Sequence, residues 1–258
     1  MIAASQQKIL PVHIALNSGG MSRHGLEMTS EQGRQDALAI TKLPGLKIAG
    51  IMTHFPVEEK NDVERGLQAF QAESAWLIEQ GRLRRDELTL HCANSYAAHI
   101  VPESRLDLVR CGSALYGDTA AYAKEYRHVM AFKSRVAAVQ SYPAGSTVSY
   151  DRTFQLTRAS RLANIPVGYA DGYRRAFSGK ASVLIRGQRC RVLGRVTMNS
   201  IVVDVTDHPE IQARDEVVLF GRQGGGEITQ EELETGSGTL WVELATSWGA
   251  SNPRLLSK

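Results

Sequence analysis

Cysteine is scarce in this sequence, which has three cysteines among 258 residues. Cys92, Cys111 and Cys190 are odd in number and widely separated. This excludes a disulfide-stapled scaffold and a Cys-x-x-Cys metal site, and it leaves a single disulfide open. No apolar run reaches the ~18 residues of a membrane-spanning helix, and no basic stretch followed by an apolar segment stands at the start of the sequence. We therefore expect neither a membrane span nor a signal peptide.

An excess of charge of one sign is also absent. The 30 lysines and arginines against 27 aspartates and glutamates give a net charge of +3, which is too small to indicate a nucleic-acid binder. Hydrophobic residues make up 43% and charged residues 22% of the chain. These fractions are ordinary for a globular protein and exclude disordered, collagen-like and coiled-coil classes. At roughly 100–200 residues per domain, the length allows one large domain or two ordinary ones.

The first part of the chain predicts alternating strands and helices. Four short apolar runs rich in strand-forming residues are predicted as strands: 11–16, 46–54, 87–92 and 105–111. Helical periodicity marks 62–80, and a second helix is predicted over 30–42, with Ser30 as its N-cap and the LPG at 43–45 as its end. Between the third and fourth strands there is room only for a short helix before Pro102. This alternation predicts parallel βα units.

From about residue 128 the sequence changes to strand-like runs cut by Gly, Pro and Asp turns. Helices are expected there only at 229–235 or 239–247, so this part predicts a mainly β domain, a sandwich or a barrel. We place the two domains at 1–120 and 121–258. Four βα units are half of the eight in a closed (β/α)8 barrel. The first domain is therefore either a small open α/β sheet or part of a barrel whose other residues lie upstream of Met1.

Polar residues or glycines stand at or just after the carboxyl end of each of the four predicted strands. In chain order they are Arg23, His54, Asn94, Ser95, Arg110, Gly112 and Ser113. Because ligand groups gather at the carboxyl ends of parallel strands, the set predicts a binding site, although any one of these residues is equally well explained as a turn or cap residue. Ser95 with the amides of Gly112 and Ser113 could hold a phosphate. Arg110 could then reach a ring or an acid held by that phosphate.

Other patterns favour structure over function. The RQGGGE segment at 222–227 lacks the Lys-Ser/Thr of a P-loop and predicts a hairpin turn. Four arginines alternate with apolar residues: Arg186, Arg189, Arg191 and Arg195. This alternation is typical of a solvated strand face, and no aromatic stacking platform accompanies it, so we expect no nucleic-acid surface. His91 and Cys92 have no partners at ligand spacing, so we expect no metal site.

Seven motifs spread over the chain resemble, in order, landmarks of the pyridoxal-phosphate-dependent alanine racemase family. They are GGMSRHGL, GIMTHF, HCANS, VRCGSALYGD, STVSYDRTF, IPVGYADGY and GRVTMNSIVVDV. The spellings ALNSGGMSR, MNS and TSWGASNPR are more similar to broad-specificity amino-acid racemases than to alanine-specific enzymes. The resemblance implies a (β/α)8 barrel followed by a β-domain. This chain then holds the C-terminal half of the barrel, about four βα units at 1–120, and the C-terminal β-domain at 121–258.

The resemblance implies interconversion of L- and D-amino acids, including alanine and basic amino acids. Tyr150 is similar to the catalytic tyrosine, which reaches into the partner's barrel. Arg23 matches an arginine near the substrate carboxylate and that tyrosine, and His54 matches a histidine behind the cofactor ring that supports the tyrosine. Arg110 resembles the arginine that faces the pyridine nitrogen, and His91 is its support.

The remaining residues carried over from the family bind cofactor or substrate. Contacts around the cofactor phosphate are implied for Asn94, Ser95, Gly112 and Ser113. The resemblance implies a head-to-tail homodimer. In it, three residues of one copy contribute to the active site of the other: Tyr169, Met198 and Asn199. Entry-corridor residues are implied to be Arg175 and Arg195. The partners are thus an amino-acid substrate and a second copy of the chain, with no metal, nucleic acid or membrane.

The family's second base, which is also its Schiff-base lysine, has no match here. None of the eight lysines lies in a matching context, and the chain begins near the family's fifth barrel strand. We therefore expect the isolated chain neither to racemise amino acids nor to bind the cofactor covalently. His24 stands where the broad-specificity enzymes would have asparagine, which leaves the range of substrates open.

Two alternatives remain at this point. Besides part of a racemase, the chain could be a non-catalytic truncated racemase module that acts in binding or assembly, or a fragment of a related fold-type III amino-acid decarboxylase. The motifs VSYDR and GYADGY favour the racemase over the decarboxylase. The resemblance also implies a periplasmic location, with the cytoplasm as the alternative because no export signal is visible.

Overall fold

The computed structural model describes residues 8–118 and 126–256, which form two compact units. Residues 8–115 with Tyr126 belong to the first unit, and residues 116–118 and 127–256 belong to the second. The predicted boundary between residues 120 and 121 falls outside the described residues and stays a prediction. No helix in the described ranges is both long enough and apolar enough to cross a membrane.

The first unit is a parallel sheet with helices between its strands. In chain order its elements are β1 (Leu10–Ala15), α1 (Glu31–Thr41), β2 (Leu46–Met52), α2 (Lys60–Gln80), β3 (Thr89–His91) and α3 (Ser95–Ile100). The strands are hydrogen-bonded in the order β1-β2-β3, and both pairs are parallel. These elements confirm the predicted alternation, including the short helix before Pro102.

Local sequence signals explain the two longer helices. α1 begins at the predicted N-cap, where Ser30 Oγ accepts a hydrogen bond from the Gly33 amide at 3.0 Å. Buried apolar side chains recur along α2 at spacings of three, four and seven residues: Val63, Leu67, Phe70 and Leu77. They share one core with Ile14 of β1 and Ile51 of β2. α2 therefore covers one face of the sheet.

The strand predicted at 105–111 is wrong, because those residues form no strand. Leu106 has a φ of 44°, a left-handed conformation that interrupts an extended run. The Asp107 carboxylate then accepts a hydrogen bond from the Leu90 amide at 2.7 Å, so a side chain occupies the place of a backbone partner. The described part of the first unit thus has three strands where four were predicted.

An antiparallel sheet dominates the second unit. Its strands are β4 (Phe132–Arg135), β5 (Ala138–Tyr142), β6 (Thr147–Val148), β7 (Phe154–Gln155), β8 (Ser160–Ile165), β9 (Ser182–Ile185), β10 (Gln188–Leu193), β11 (Ile201–Asp204), β12 (Glu216–Gln223) and β13 (Gly226–Ile228). Eight strands form one sheet in the order β13-β12-β9-β10-β11-β8-β5, with β4 paired to β12, while β6 and β7 pair with each other. Two helices follow: α4 (Gln230–Ser237) and α5 (Trp241–Ser251). The mainly β second half and its late helices are confirmed.

One smaller prediction holds in the second unit, and a second one holds in part. β12 and β13 form a hairpin whose turn lies within 222–227, since Gln223 pairs with Gly226. Of the four arginines predicted on a solvated strand face, three are exposed at the β9–β10 hairpin: Arg186, Arg189 and Arg191. Arg186 forms an ion pair with Asp215 at 2.7 Å. Arg195 is half-buried and lies after the end of β10. The three cysteines are all free thiols.

Candidate active site

Arg110 is the centre of a hydrogen-bonded group at the carboxyl ends of β2 and β3. Its Nη1 lies 2.6 Å from His91 Nδ1, and its Nη2 lies 3.0 Å from His54 Nδ1. Nη2 also donates to the carbonyl oxygens of Thr53 at 2.8 Å and Cys92 at 3.3 Å. A guanidinium group has donors and no acceptor, so both histidines accept through an unprotonated Nδ1. These contacts fix the orientation of the arginine.

Burial keeps the two histidines neutral. It lowers the pKa of His91 to about 4, with smaller contributions from the Arg110 charge and from His13. The pKa of His54 is also lowered, first by burial and then by the charges of Arg110 and Arg23. Burial lowers the pKa of Arg110 too, but a guanidinium starts so high that it stays charged. At neutral pH the group is therefore one cation between two neutral imidazoles.

Ser95 and the backbone after Arg110 form a second part of this site. Asn94 is the N-cap of α3, and its Oδ1 accepts a hydrogen bond from the Ala97 amide at 2.9 Å. The amides of Gly112 and Ala114 each lie 3.2 Å from Ser95 Oγ. Since Oγ accepts these bonds, its own proton is left to donate. A Cβ added to Gly112 would meet nothing within 4 Å, so there is open space beside these donors.

Ser113 and Arg23 complete the predicted residues of the first unit. Ser113 follows Gly112 and begins the 3-10 turn Ser113–Tyr116. Arg23 lies in the exposed loop after β1, and its Nε is 3.4 Å from His24 Nδ1. Because its charge contributes to the lowered pKa of His54, Arg23 is close enough to act on this group electrostatically.

Two residues join the site that the sequence did not single out. Thr53 is fully buried, donates through Oγ1 to the Leu16 carbonyl at 2.9 Å and accepts from the Gly19 amide at 3.1 Å. His13 Nδ1 lies 2.7 Å from His91 Nε2. A polar residue within the apolar run PVHIAL is the signal that could have identified His13.

Tyr150 lies on a strained turn of the second unit. The φ angles of Ser149, Asp151 and Arg152 are 63°, 61° and 50°, values that residues other than glycine rarely adopt. Ser149 Oγ anchors the turn by donating to the Arg195 carbonyl at 2.7 Å. The Tyr150 side chain itself is 68% exposed. Strained backbone persists where surrounding contacts impose it, and such positions cluster at functional sites.

The other predicted residues of the second unit lie on segments bonded to each other. The Tyr169 amide donates to the Thr197 carbonyl at 3.0 Å, and the next amide donates to the Met198 carbonyl at 2.9 Å. Tyr169, Met198 and Asn199 are all exposed. Asp151 Oδ2 lies 3.5 Å from Arg195 Nε and 3.9 Å from Arg175 Nη2. The predicted residues thus form two groups, one in each unit.

Comparison with known proteins gives matches to both units. The family models named "Alanine racemase, N-terminal domain" and "Alanine racemase, C-terminal domain" match residues 1–120 and 129–256. A broad specificity amino-acid racemase of Pseudomonas putida is 57% identical over 255 residues, which are 99% of this chain and 62% of that protein. A lysine racemase of Proteus mirabilis is 51% identical over 255 residues, again 99% and 62%.

A solved structure supports the same assignment. The alanine racemase of Bartonella henselae, described with covalently bound pyridoxal phosphate, has a TM-score of 0.79 and 28% identity, covering 96% of this chain and 66% of that one. The chain spans less than two thirds of the length of the curated relatives named above. The expected fold, part of a (β/α)8 barrel followed by a β-domain, is confirmed by these matches. With matches over nearly its whole length, the chain belongs to the alanine racemase family.

Proposed function

We propose that this chain supplies part of the active site of a broad-specificity amino-acid racemase that uses pyridoxal phosphate. The observation that carries the proposal is Arg110, held between two neutral imidazoles beside the donors at Ser95. The named relatives, a broad specificity amino-acid racemase and a lysine racemase, support this substrate class. We propose alanine and basic amino acids as substrates.

The residues present fit this cofactor. The Ser95 hydroxyl with the backbone at Gly112 and Ser113 would hold the phosphate, and Asn94 fixes the start of the helix that carries Ser95. Arg110 would face the pyridine nitrogen, where a permanently charged guanidinium offers a donor without transferring its proton. When bound, the cofactor would supply the electron sink that accepts the electron pair left on the substrate α-carbon when its proton leaves.

Racemisation needs proton-transfer groups on both faces of the α-carbon, and we propose Tyr150 for one of them. A free tyrosine has a pKa of ~10, so a nearby cation must stabilise the phenolate if it is to act as a base near neutrality. We assign that role to Arg23, which would also bind the substrate carboxylate. His54 accepts from Arg110 through Nδ1, which leaves its proton on Nε2 to support the phenol oxygen.

We propose a head-to-tail homodimer in which the second unit of one copy completes the site of the other. Tyr150 is exposed on a strained and anchored turn, as expected of a side chain that reaches another surface. Together with Tyr150, the same unit would contribute Tyr169, Met198 and Asn199 to the active site of the other copy. Arg175 and Arg195, which both lie beside Asp151, would line the entrance to the active site.

We further propose that the 258-residue chain alone does not attach the cofactor covalently. Among the described lysines of the first unit, Lys8 and Lys47 lie at the amino ends of β1 and β2, and Lys42 lies at the end of α1. Lys60 begins α2 and pairs with Glu64 at 3.7 Å. Lys8, Lys42 and Lys47 therefore lie away from the carboxyl ends of the strands, where Arg110 lies, whereas Lys60 starts the helix that follows β2 and has its amine beside Glu64.

The test is an assay with added pyridoxal phosphate and L-alanine or L-lysine. Chiral chromatography follows the D-enantiomer, and borohydride reduction with peptide mapping detects any lysine adduct. We expect no exchange by the chain alone, and exchange after co-expression with the part of the Pseudomonas putida relative that this chain does not cover. Tyr150→Phe should abolish the restored exchange.

Other outcomes of this assay identify the alternatives. Cofactor binding without restored exchange would indicate a non-catalytic module, and release of the corresponding amine would indicate a decarboxylase. A monomer by light scattering would contradict the proposed dimer. We propose a periplasmic location, which fractionation of the source cells would distinguish from a cytoplasmic one.

A further inference from the structure

A side chain of β1 crosses β2 to reach the end of β3. His13 pairs in register with Gly50, and its ring lies 4.9 Å from the His91 ring, centroid to centroid. A Cβ at Gly50 would stand 2.6 Å from His13 Nδ1 and 2.4 Å from the Thr89 carbonyl oxygen. The β1–β2 register shifts between Val12 and His13, and such irregularities re-aim a side chain. The missing Cβ and the register shift together permit this contact.

The hydrogen bonds of Arg110 determine where the protons of these rings lie. Arg110 can only donate, so His91 Nδ1 accepts at 2.6 Å. A neutral His91, as its pKa of about 4 requires at neutral pH, then carries its proton on Nε2. That nitrogen lies 2.7 Å from His13 Nδ1, which must be the acceptor. The order of donation is therefore Arg110 to His91 to His13.

Burial accounts for little of the position of His13. Its side chain is exposed, whereas His91 is only 6% exposed. An exposed imidazole gains little from burial, so the hydrogen bond is what joins the two rings. Without it, the Nε2 proton of a nearly buried ring would lose its protein acceptor.

We propose that His13 is a positioning residue of this site: by accepting a hydrogen bond from His91, it holds that ring in the orientation that receives Arg110. The inference rests on the proposed function only in what Arg110 would face. The arrangement of protons itself is a property of the chain, and it is measurable without cofactor or activity.

The test uses 15N-histidine NMR on the full chain without cofactor, comparing His13→Asn with His13→Leu. Asparagine and leucine have the same branched shape, but only asparagine places an acceptor oxygen near the position of Nδ1. His208→Asn, in the second unit, is the control for signal assignment. Circular dichroism and thermal unfolding establish that each variant is folded.

In the unsubstituted chain we expect the proton of His91 on Nε2 and the proton of His13 also on Nε2. In His13→Leu the exchange of the His91 Nε2 proton with water should rise about tenfold, the change expected for loss of one neutral hydrogen bond. The Arg110 guanidinium signals should broaden or shift as well. In His13→Asn both readouts should stay close to those of the unsubstituted chain.

Three results would overturn the proposal. The first is a His91 proton on Nδ1 or a His13 proton on Nδ1 in the unsubstituted chain at neutral pH, which needs no variant to be folded. The second is unchanged exchange in His13→Leu, and the third is equal loss in both variants, which would indicate a packing role. These NMR measurements do not depend on racemase activity. The proposed role of His13 and the proposed racemase function can therefore be refuted independently.

Discussion

Protonation of His91 should destabilise the first unit as the pH falls. Its pKa is about 4 in the folded chain against an ordinary 6.5, so between these values the unfolded chain binds more protons than the folded chain. The free energy of unfolding therefore rises with pH in this window. The contribution of His91 to it is lost as the pH falls from about 6.5 to about 4. At 1.36 kcal/mol per pKa unit, the loss amounts to about 3 kcal/mol.

The perturbation is His91→Asn, which does not titrate. An asparagine oxygen can still accept from Arg110 in the place of Nδ1, so the arginine keeps a partner. The variant should be less stable than the parent at pH 7, because the contact with His13 is lost. Between pH 7 and pH 4 the parent should lose about 3 kcal/mol more unfolding free energy than the variant.

The assay is urea unfolding at several pH values between 7 and 4. Because two units need not unfold together, NMR amide intensities from β2 should be used so that only the first unit is followed. His208→Asn, in the second unit, serves as the control and should leave the pH dependence of these intensities unchanged. Parallel pH dependences for the parent and His91→Asn between pH 6.5 and 4 would refute the reasoning.

Three further substitutions test contacts around the site. Gly50→Ala places a Cβ 2.4 Å from the Thr89 carbonyl oxygen and should lower the unfolding free energy of the first unit by about 1–3 kcal/mol in urea titrations. Ser95→Ala removes the acceptor of two amides and should weaken binding of pyridoxal phosphate about tenfold in fluorescence titrations. Ser149→Ala removes the 2.7 Å bond to the Arg195 carbonyl and should cost about 1 kcal/mol in thermal unfolding. It should also lower the restored racemase activity without changing cofactor affinity.

Helices and turns whose signals lie in residues adjacent in the sequence could be predicted. α1 starts where Ser30 can cap it, and the hairpin at 222–227 follows from its glycines. The prediction of a strand at 105–111 is wrong because an apolar pattern typical of strands does not determine which backbone hydrogen bonds form. The Asp107 side chain takes the Leu90 amide, and pairing between residues far apart in the chain leaves no local signal.

In the candidate site, too, contacts between residues far apart in the sequence could not be predicted. Motif resemblance selects Arg110 and the residues that would touch a cofactor, because each stands within a recognisable run of letters. It does not select His13, which is 78 positions from its partner His91 and whose contact depends on the bare backbone of Gly50. The motifs therefore indicate which groups would meet a ligand, whereas the hydrogen-bond order that fixes their protons follows only from the register of the strands.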